Sequence, residues 1–131
     1  SGARSESVGA HTIAFEPPDV CVFQMVGDIS GDELVRVAQF LKEVPAKFHL
    51  IVDTGRLGSF TTSAKKAIRE VPLAAAVAIF GASRQMQLVL SILNKVYMMV
   101  NLGTDIPLTF VPNEDEARKW IDYQRARKAA G

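Results

Sequence analysis

Few side chains in this sequence combine the residue types and spacing that catalysis requires. His11 and His49 stand alone, without the His-x-x-x-His or Glu-x-x-His spacing that brings ligands together on a metal ion. Cys21 lies within an apolar run, where burial raises the pKa of a thiol and keeps it unreactive. Asp53 ends another apolar run, at the position where α/β sheets bind ligands, but no second acid or base accompanies it. We therefore expect no enzymatic activity, no metal and no cofactor.

A stretch of glycine and hydroxyl residues follows Asp53. The hydroxyl residues are Ser59, Thr61, Thr62 and Ser63. Gly55 and Gly58 lack the spacing of a dinucleotide-binding or P-loop motif. The hydroxyl groups precede a segment with helical spacing, which they are suited to cap. Alternatively, a phosphate on Thr62 or Ser63 would be stabilised by the helix N-terminus and by two nearby lysines, so phosphorylation could act as a switch there. We expect residues 55–66 to belong to the surface that binds a partner.

The segment 83–102 predicts a helix with two apolar faces. Its core stripe consists of Met86, Val89, Leu90, Leu93, Val96, Tyr97 and Val100. Leu88, Ile92 and Met99 form a second stripe on another side. One helix on one sheet does not easily bury both faces, and large exposed apolar patches are uncommon on monomers. The second stripe therefore predicts a homodimer, a bound apolar or lipid-like ligand, or cover from a neighbouring loop.

Composition narrows the classes of partner. The 131 residues contain 48% hydrophobic and 22% charged residues, and the formal net charge is +1, as in an ordinary globular domain. This balance disfavours nucleic-acid binding, and we expect the basic residues between 118 and 128 to form a solvated helix face. The apolar segment 86–102 contains too many polar residues to span a membrane. A single cysteine fits a reducing cytoplasm, where we expect the protein.

Hydrophobic periodicity and turn residues give the order of the elements. Apolar runs predict strands at 11–16, 20–26, 48–53, 75–80 and 106–111. Capping patterns at Ser30 to Glu33 and Asn113 to Glu116 mark two helix starts. The resulting order, β-β-α-β-α-β-α-β-α, predicts an α/β domain with a mixed, mostly parallel five-stranded sheet and four flanking helices. We expect residues 1–10 to be disordered and residues 11–131 to form this single domain.

The element order resembles that of STAS domains. The resemblance includes the strand ending in Val52 to Gly55, the glycine after Phe80 and the closing helix that contains Glu116 to Ile121. The most similar branch is the SpoIIAA-like, SEC14-type group of small bacterial proteins, and the resemblance covers about residues 11–121. It implies a STAS-like fold that binds partners without a cofactor.

In the anti-sigma-factor antagonists of that wider family, an Asp-Ser-Ser-Gly-Leu motif carries a serine whose phosphorylation breaks a protein complex. Thr61 to Lys65 occupy the place of this motif, with Thr62 at the phosphoacceptor position. Thr61 replaces the aspartate, and Ala64 and Lys65 replace the Gly-Leu pair.

Two functions are compatible with these patterns. The first is a non-catalytic protein-interaction module in bacterial signalling or regulation, with an unidentified protein partner and a tendency to form homodimers. The alternative is a small carrier that holds an apolar or lipid-like ligand beside the helix at 83–102.

Overall fold

The computed structural model describes residues 2–100 and 105–130, without the side chains of Val100 and Ala130. The elements, in chain order, are β1 (Arg4–Val8), β2 (His11–Glu16), β3 (Val20–Ile29), α1 (Gly31–Lys42), β4 (His49–Phe60), α2 (Thr62–Ala67), a 3-10 turn (Ile68–Glu70), β5 (Ala76–Phe80), α3 (Arg84–Val100), β6 (Leu108–Val111) and α4 (Glu114–Ala130). The predicted end of α3 near residue 102 lies outside the described residues.

The six strands form one sheet in their sequence order, from β1 to β6. The pairs β1/β2 and β2/β3 are antiparallel, and the pairs from β3 to β6 are parallel. Each connection between parallel strands adds the next strand on the same side of the sheet. Because such connections are right-handed, α1, α2 and α3 pack on the same face. The chain then continues from β6 into α4, which packs on the other face. The predicted α/β class and mixed sheet are confirmed.

The N-terminal segment differs from its prediction. Residues 4–8, expected to be disordered, form the edge strand β1, so the sheet has six strands and not five. Arg4 forms an ion pair with Glu43, and its guanidinium lies over the ring of Phe40; Glu6 forms an ion pair with Arg36. These contacts with α1 stabilise a polar strand that has a single buried apolar residue, Val8, and therefore little strand signal of its own.

The β4 strand is about twice as long as predicted. It continues beyond Asp53 to Phe60 because β3 is also long and pairs with it along its length, with register shifts around Val26 and Gly27. The predicted loop that begins at Gly55 is therefore a strand as far as Phe60. The remaining residues, 61–66, form the N-cap and most of α2.

Local signals placed the helix starts correctly. Ser30 and Glu33 form the predicted capping box at α1, and Asn113 accepts a hydrogen bond from the amide of Glu116 at α4. On the inner side of α4, Ala117 and Ile121 are buried against Ile51, Ala76 and Ala78 of the sheet. The first face of the sheet carries the larger core, formed with α1, α2 and α3.

Candidate functional site

An apolar cavity of about 140 Å³ lies within the larger core, between the sheet and the helices that cover its first face. Phe23, Met25, Val52 and Ile79 from the central strands form its floor, and Leu34, Leu90 and other aliphatic side chains from the helices form its walls. Protein interiors contain few voids larger than a water molecule. A cavity of this size is comparable to an engineered apolar cavity of roughly 150 Å³ that binds benzene, so it can hold a small apolar molecule.

Two side chains of α3 add polar atoms at this cavity. Asn94 and Tyr97 both line it, among otherwise apolar groups. The hydroxyl of Tyr97 donates a hydrogen bond of 2.7 Å to the carbonyl oxygen of Val71, which lies in the segment between the 3-10 turn and β5. Burial raises the pKa of Tyr97, so the hydroxyl keeps its proton. This hydrogen bond connects α3 to the segment that borders the cavity.

The outer face of α3 carries the second apolar stripe at the predicted positions. Leu88, Ile92 and Met99 are 66%, 58% and 72% exposed, so no neighbouring loop in the described chain covers them. Val96 was predicted to lie in the core stripe, but it is 45% exposed and belongs to the outer face. The inner face consists of Leu90, Leu93 and Tyr97, with Met86 and Val89 partly buried.

The hydroxyl side chains of Thr61 and Ser63 form hydrogen bonds at the N-termini of α1 and α2. Thr61 is the N-cap of α2, and its Oγ1 accepts a hydrogen bond from the amide of Ala64. The Oγ of Ser63 lies 3.1 Å from that oxygen and accepts a 2.9 Å hydrogen bond from the amide of Gly31, the first residue of α1. Thr61 and Ser63 therefore have structural roles, one within α2 and one between α1 and α2.

The other residues of the predicted binding surface differ in their surroundings. Thr62 is the first residue of α2 and its side chain is exposed. Ser59 lies on β4, where its hydroxyl donates a 3.0 Å hydrogen bond to Asp28. Gly58 also lies on β4, and a Cβ there would collide with the carboxylate of Asp28. Gly55 approaches Gly81, where an added Cβ would lie 2.9 Å from the Gly55 nitrogen. Gly58 thus permits the close approach of β4 to Gly27 and Asp28 of β3, and Gly81 permits the close approach to Gly55.

Cys21, His11 and His49, which were considered for catalysis, are buried and contact neighbouring groups of the fold. Burial raises the pKa of the Cys21 thiol to about 12. The Nδ1 of His11 accepts a hydrogen bond from the amide of Val26, and its Nε2 lies 3.4 Å from Glu33. His49 is buried with its Nδ1 3.2 Å from Asp19. No group of three His, Cys, Asp or Glu side chains within residues 2–100 and 105–130 is placed to hold a metal ion.

Two arginines of the C-terminal basic cluster, which was predicted to form a solvated helix face, are paired with carboxylates of the N-terminal hairpin. Arg118 forms a two-pronged ion pair with Glu16 and also contacts Glu114. Arg125 forms a similar pair with Asp19. The sequence offered no signal for these pairs because the partners are separated by 102 and 106 positions. They fix α4 to the β2–β3 hairpin.

Comparison with known proteins supports the fold. An uncharacterised protein of the DUF3478 family from Shewanella loihica, described as having a SpoIIAA-like fold, is similar in structure with a TM-score of 0.57. The two chains share 17% sequence identity, and the similarity covers 91% of this chain and 93% of the other. No family model and no curated protein matches the sequence. The chain has the SpoIIAA-like fold predicted from its sequence. Across the described residues, no helix is long and apolar enough to cross a membrane.

Proposed function

We propose that this protein is a non-catalytic binding module that holds a small apolar ligand between α3 and the sheet. The cavity of about 140 Å³ carries this proposal. Side chains that line a gap in a packed core lose dispersion contacts on that side. A ligand that fills the cavity would recover part of this loss.

The mouth of the cavity lies beside α3 in this proposal. Val71, Pro72 and Asn94 line the cavity and remain partly exposed. They belong to the segment before β5 and to the facing side of α3. The cavity volume suits a ring or a short alkyl chain, and a longer lipid-like chain requires α3 to move away from the sheet. The outer apolar stripe of α3 would then stay in contact with solvent or a partner.

The test is ligand binding by a variant in which the cavity is filled. Ala74 lines the cavity and is buried, so Ala74→Phe places a ring in the space. We expect wild type to bind benzene and 1-hexanol saturably, with chemical-shift changes at Leu90 and Leu93, and Ala74→Phe to bind neither. Ala129→Phe, on an exposed position of α4, is the matched control and should bind as wild type does. Equal binding by wild type and Ala74→Phe would contradict the proposal.

A second candidate is a protein-interaction module of bacterial signalling or regulation, acting in the cytoplasm. The exposed stripe of Leu88, Ile92 and Met99 favours it. A second copy of this chain is the proposed partner, because antiparallel α3 helices would cover each other's stripes. Light scattering after size exclusion tests this: we expect twice the monomer mass for wild type and the monomer mass for Ile92→Asp. A monomer mass for both wild type and Ile92→Asp would show that the exposed stripe does not form a homodimer.

A phosphorylation switch on Thr62 also belongs to this second candidate. Thr62 is accessible at the start of α2, with Lys65 and Lys66 one turn further along the helix. A pull-down from the native cell with wild type and Thr62→Glu tests the switch. We expect at least one specific partner to be lost from the variant, and identical partner sets would argue against a switch at this position.

A further inference from the structure

A second concave site lies on the opposite face of the sheet, separate from the apolar cavity. It is a groove of about 230 Å³ between strands β2 to β5 and the first turns of α4. The helix α4 packs on the β4 and β5 side of this face, and the groove lies over β2 and β3 beside it. Ala14 and Val22 are paired neighbours in its floor. The methyl group of Ala14 leaves space that a longer side chain would fill.

One row of residues crosses the groove. Thr12 pairs with Gln24, Gln24 with Asp53, and Asp53 with Phe80, so the four side chains lie side by side across β2, β3, β4 and β5. All four line the groove. Phe80 is the last residue of β5, at the edge where open α/β sheets bind ligands, and Asp53 is its partner at the end of the β4/β5 pairing, although β4 itself continues to Phe60.

The charges of the groove are unbalanced. Arg118 is already bound on two sides, by both carboxylate oxygens of Glu16 and by Glu114. Asp53 is the third carboxylate, and three carboxylates against one guanidinium leave a formal charge of −2 among the described lining residues. Oδ1 of Asp53 accepts from the amide of Gly55, and Oδ2 accepts a long 3.2 Å hydrogen bond from Gln24. An ammonium or guanidinium group would donate a charge-assisted hydrogen bond to Oδ2, which is stronger than the bond from the neutral amide of Gln24.

The neighbouring aromatic ring favours the same class of ligand. Phe80 lies next to Asp53 across the β4/β5 pair and lines the groove. Ammonium and guanidinium groups bind to aromatic faces as well as to carboxylates. The groove is open to solvent on one side, and its volume of about 230 Å³ suits a small ligand.

We propose that this groove binds a small organic cation, with Asp53 as its counter-ion and Phe80 against its charged end. Thr12 and Gln24 supply hydrogen-bonding groups along the same row. The site is independent of the apolar cavity, because the sheet separates the two and no residue lines both.

Agmatine and putrescine are the probes, with succinate as an anionic control, and titration calorimetry gives the affinities. Asp53→Asn removes the counter-ion and keeps an oxygen for the amide of Gly55. Ala14→Leu fills the groove. The matched controls are Glu70→Gln, which removes a charge near α2, and Ala129→Leu, which adds the same bulk at an exposed position of α4. Thermal unfolding confirms that each variant is folded.

We expect wild type to bind agmatine saturably and succinate not at all. Asp53→Asn should weaken agmatine binding by at least about tenfold, and Ala14→Leu should abolish it, whereas both controls bind like wild type. Absence of saturable binding to wild type, binding that survives Ala14→Leu, or an equal loss in Glu70→Gln would overturn the proposal.

Discussion

Arg118 on α4 donates two hydrogen bonds of 2.9 Å each to the two carboxylate oxygens of Glu16 on β2. The pair spans 102 positions of the sequence and joins the last helix to the N-terminal hairpin. Arg125 and Asp19 repeat the arrangement two turns further along α4. The side of α4 that faces the hairpin is thus held by ion pairs, and the side that faces β5 is held by apolar contacts.

The Arg118–Glu16 pair should contribute a modest coupling energy. Both side chains are more than a third exposed, so solvent screens the pair. We expect a double-mutant cycle with Glu16→Gln and Arg118→Met to give about 0.5–1 kcal/mol, measured by urea unfolding. The control is the cycle of Glu116→Gln and Lys119→Met, whose charges are 3.6 Å apart on the surface, with a coupling energy close to zero. Equal coupling in both cycles would mean that the two-pronged geometry adds nothing.

Acid should weaken the same attachment. The hydrogen bonds from Arg118 and Arg125 hold the pKa of Glu16 and of Asp19 below their ordinary values near 4. Because each pKa is lower in the folded state, the folded protein binds fewer protons than the unfolded chain. The stabilisation is complete above about pH 5 and is lost as the pH falls through the folded pKa values. We therefore expect the melting temperature to decrease when the pH is lowered to values under about 4.

Comparison with a variant isolates this effect. Arg118→Met and Arg125→Met together should flatten the decline of melting temperature between about pH 5 and pH 2, because the hydrogen bonds that contribute most to the lowered pKa of Glu16 and of Asp19 are then lost. A decline as steep as that of wild type would show that other carboxylates cause the acid sensitivity.

Sequence patterns predicted the parts of this fold that depend on neighbouring residues. The capping box of Ser30 and Glu33 and the outer stripe of Leu88 and Ile92 are local patterns, and both lie where they were expected. The strand β1 escaped prediction because its stabilising partners, such as Glu43 for Arg4, lie far away in the sequence.

The two concave sites escaped prediction for the same physical reason. The apolar cavity is a gap in packing between distant elements, and the same residues in a slightly different arrangement would leave none. The sequence placed Asp53 at the end of its strand, whereas β4 continues to Phe60, and the neighbours Gln24 and Phe80 depend on strand register. Residue types alone do not specify either arrangement.

Because Ser63 contacts Gly31, we expect substitutions at Ser63 and at the adjacent Thr62 to differ in their effect on the free energy of unfolding. Ser63 accepts from the amide of Gly31, so Ser63→Glu should lower the free energy of unfolding by about 1–2 kcal/mol through loss of this hydrogen bond and crowding at the start of α1. Thr62→Glu places its charge in solvent at the start of α2, so we expect a change within about 0.5 kcal/mol. Urea unfolding measures both. Equal effects would show that Ser63 does not connect the two helices.

Gly31 itself should resist substitution. A Cβ there would lie 2.8 Å from the backbone oxygen of Ser63 and 2.9 Å from its carbonyl carbon, and these backbone atoms cannot easily move away. Gly31→Ala should therefore cost about 1–3 kcal/mol, although alanine normally favours a helix. Gly2→Ala is the control, because an added Cβ there meets nothing within 4 Å. Urea midpoints that shift equally for the two variants would remove the close approach as the cause.

Cys21 should be protected from alkylation in the folded protein. Only the thiolate reacts, and burial raises the pKa of Cys21 to about 12 while also excluding the reagent. We expect mass spectrometry to show almost no modification by iodoacetamide at mildly alkaline pH under native conditions, and complete modification in urea. If labelling occurs by global unfolding, its rate should rise in Gly31→Ala by about tenfold for each 1.4 kcal/mol of lost stability, since the rate follows the unfolded fraction in which the thiol is exposed. Rapid native labelling that does not change in this variant would show that β3 becomes accessible by local opening of the sheet.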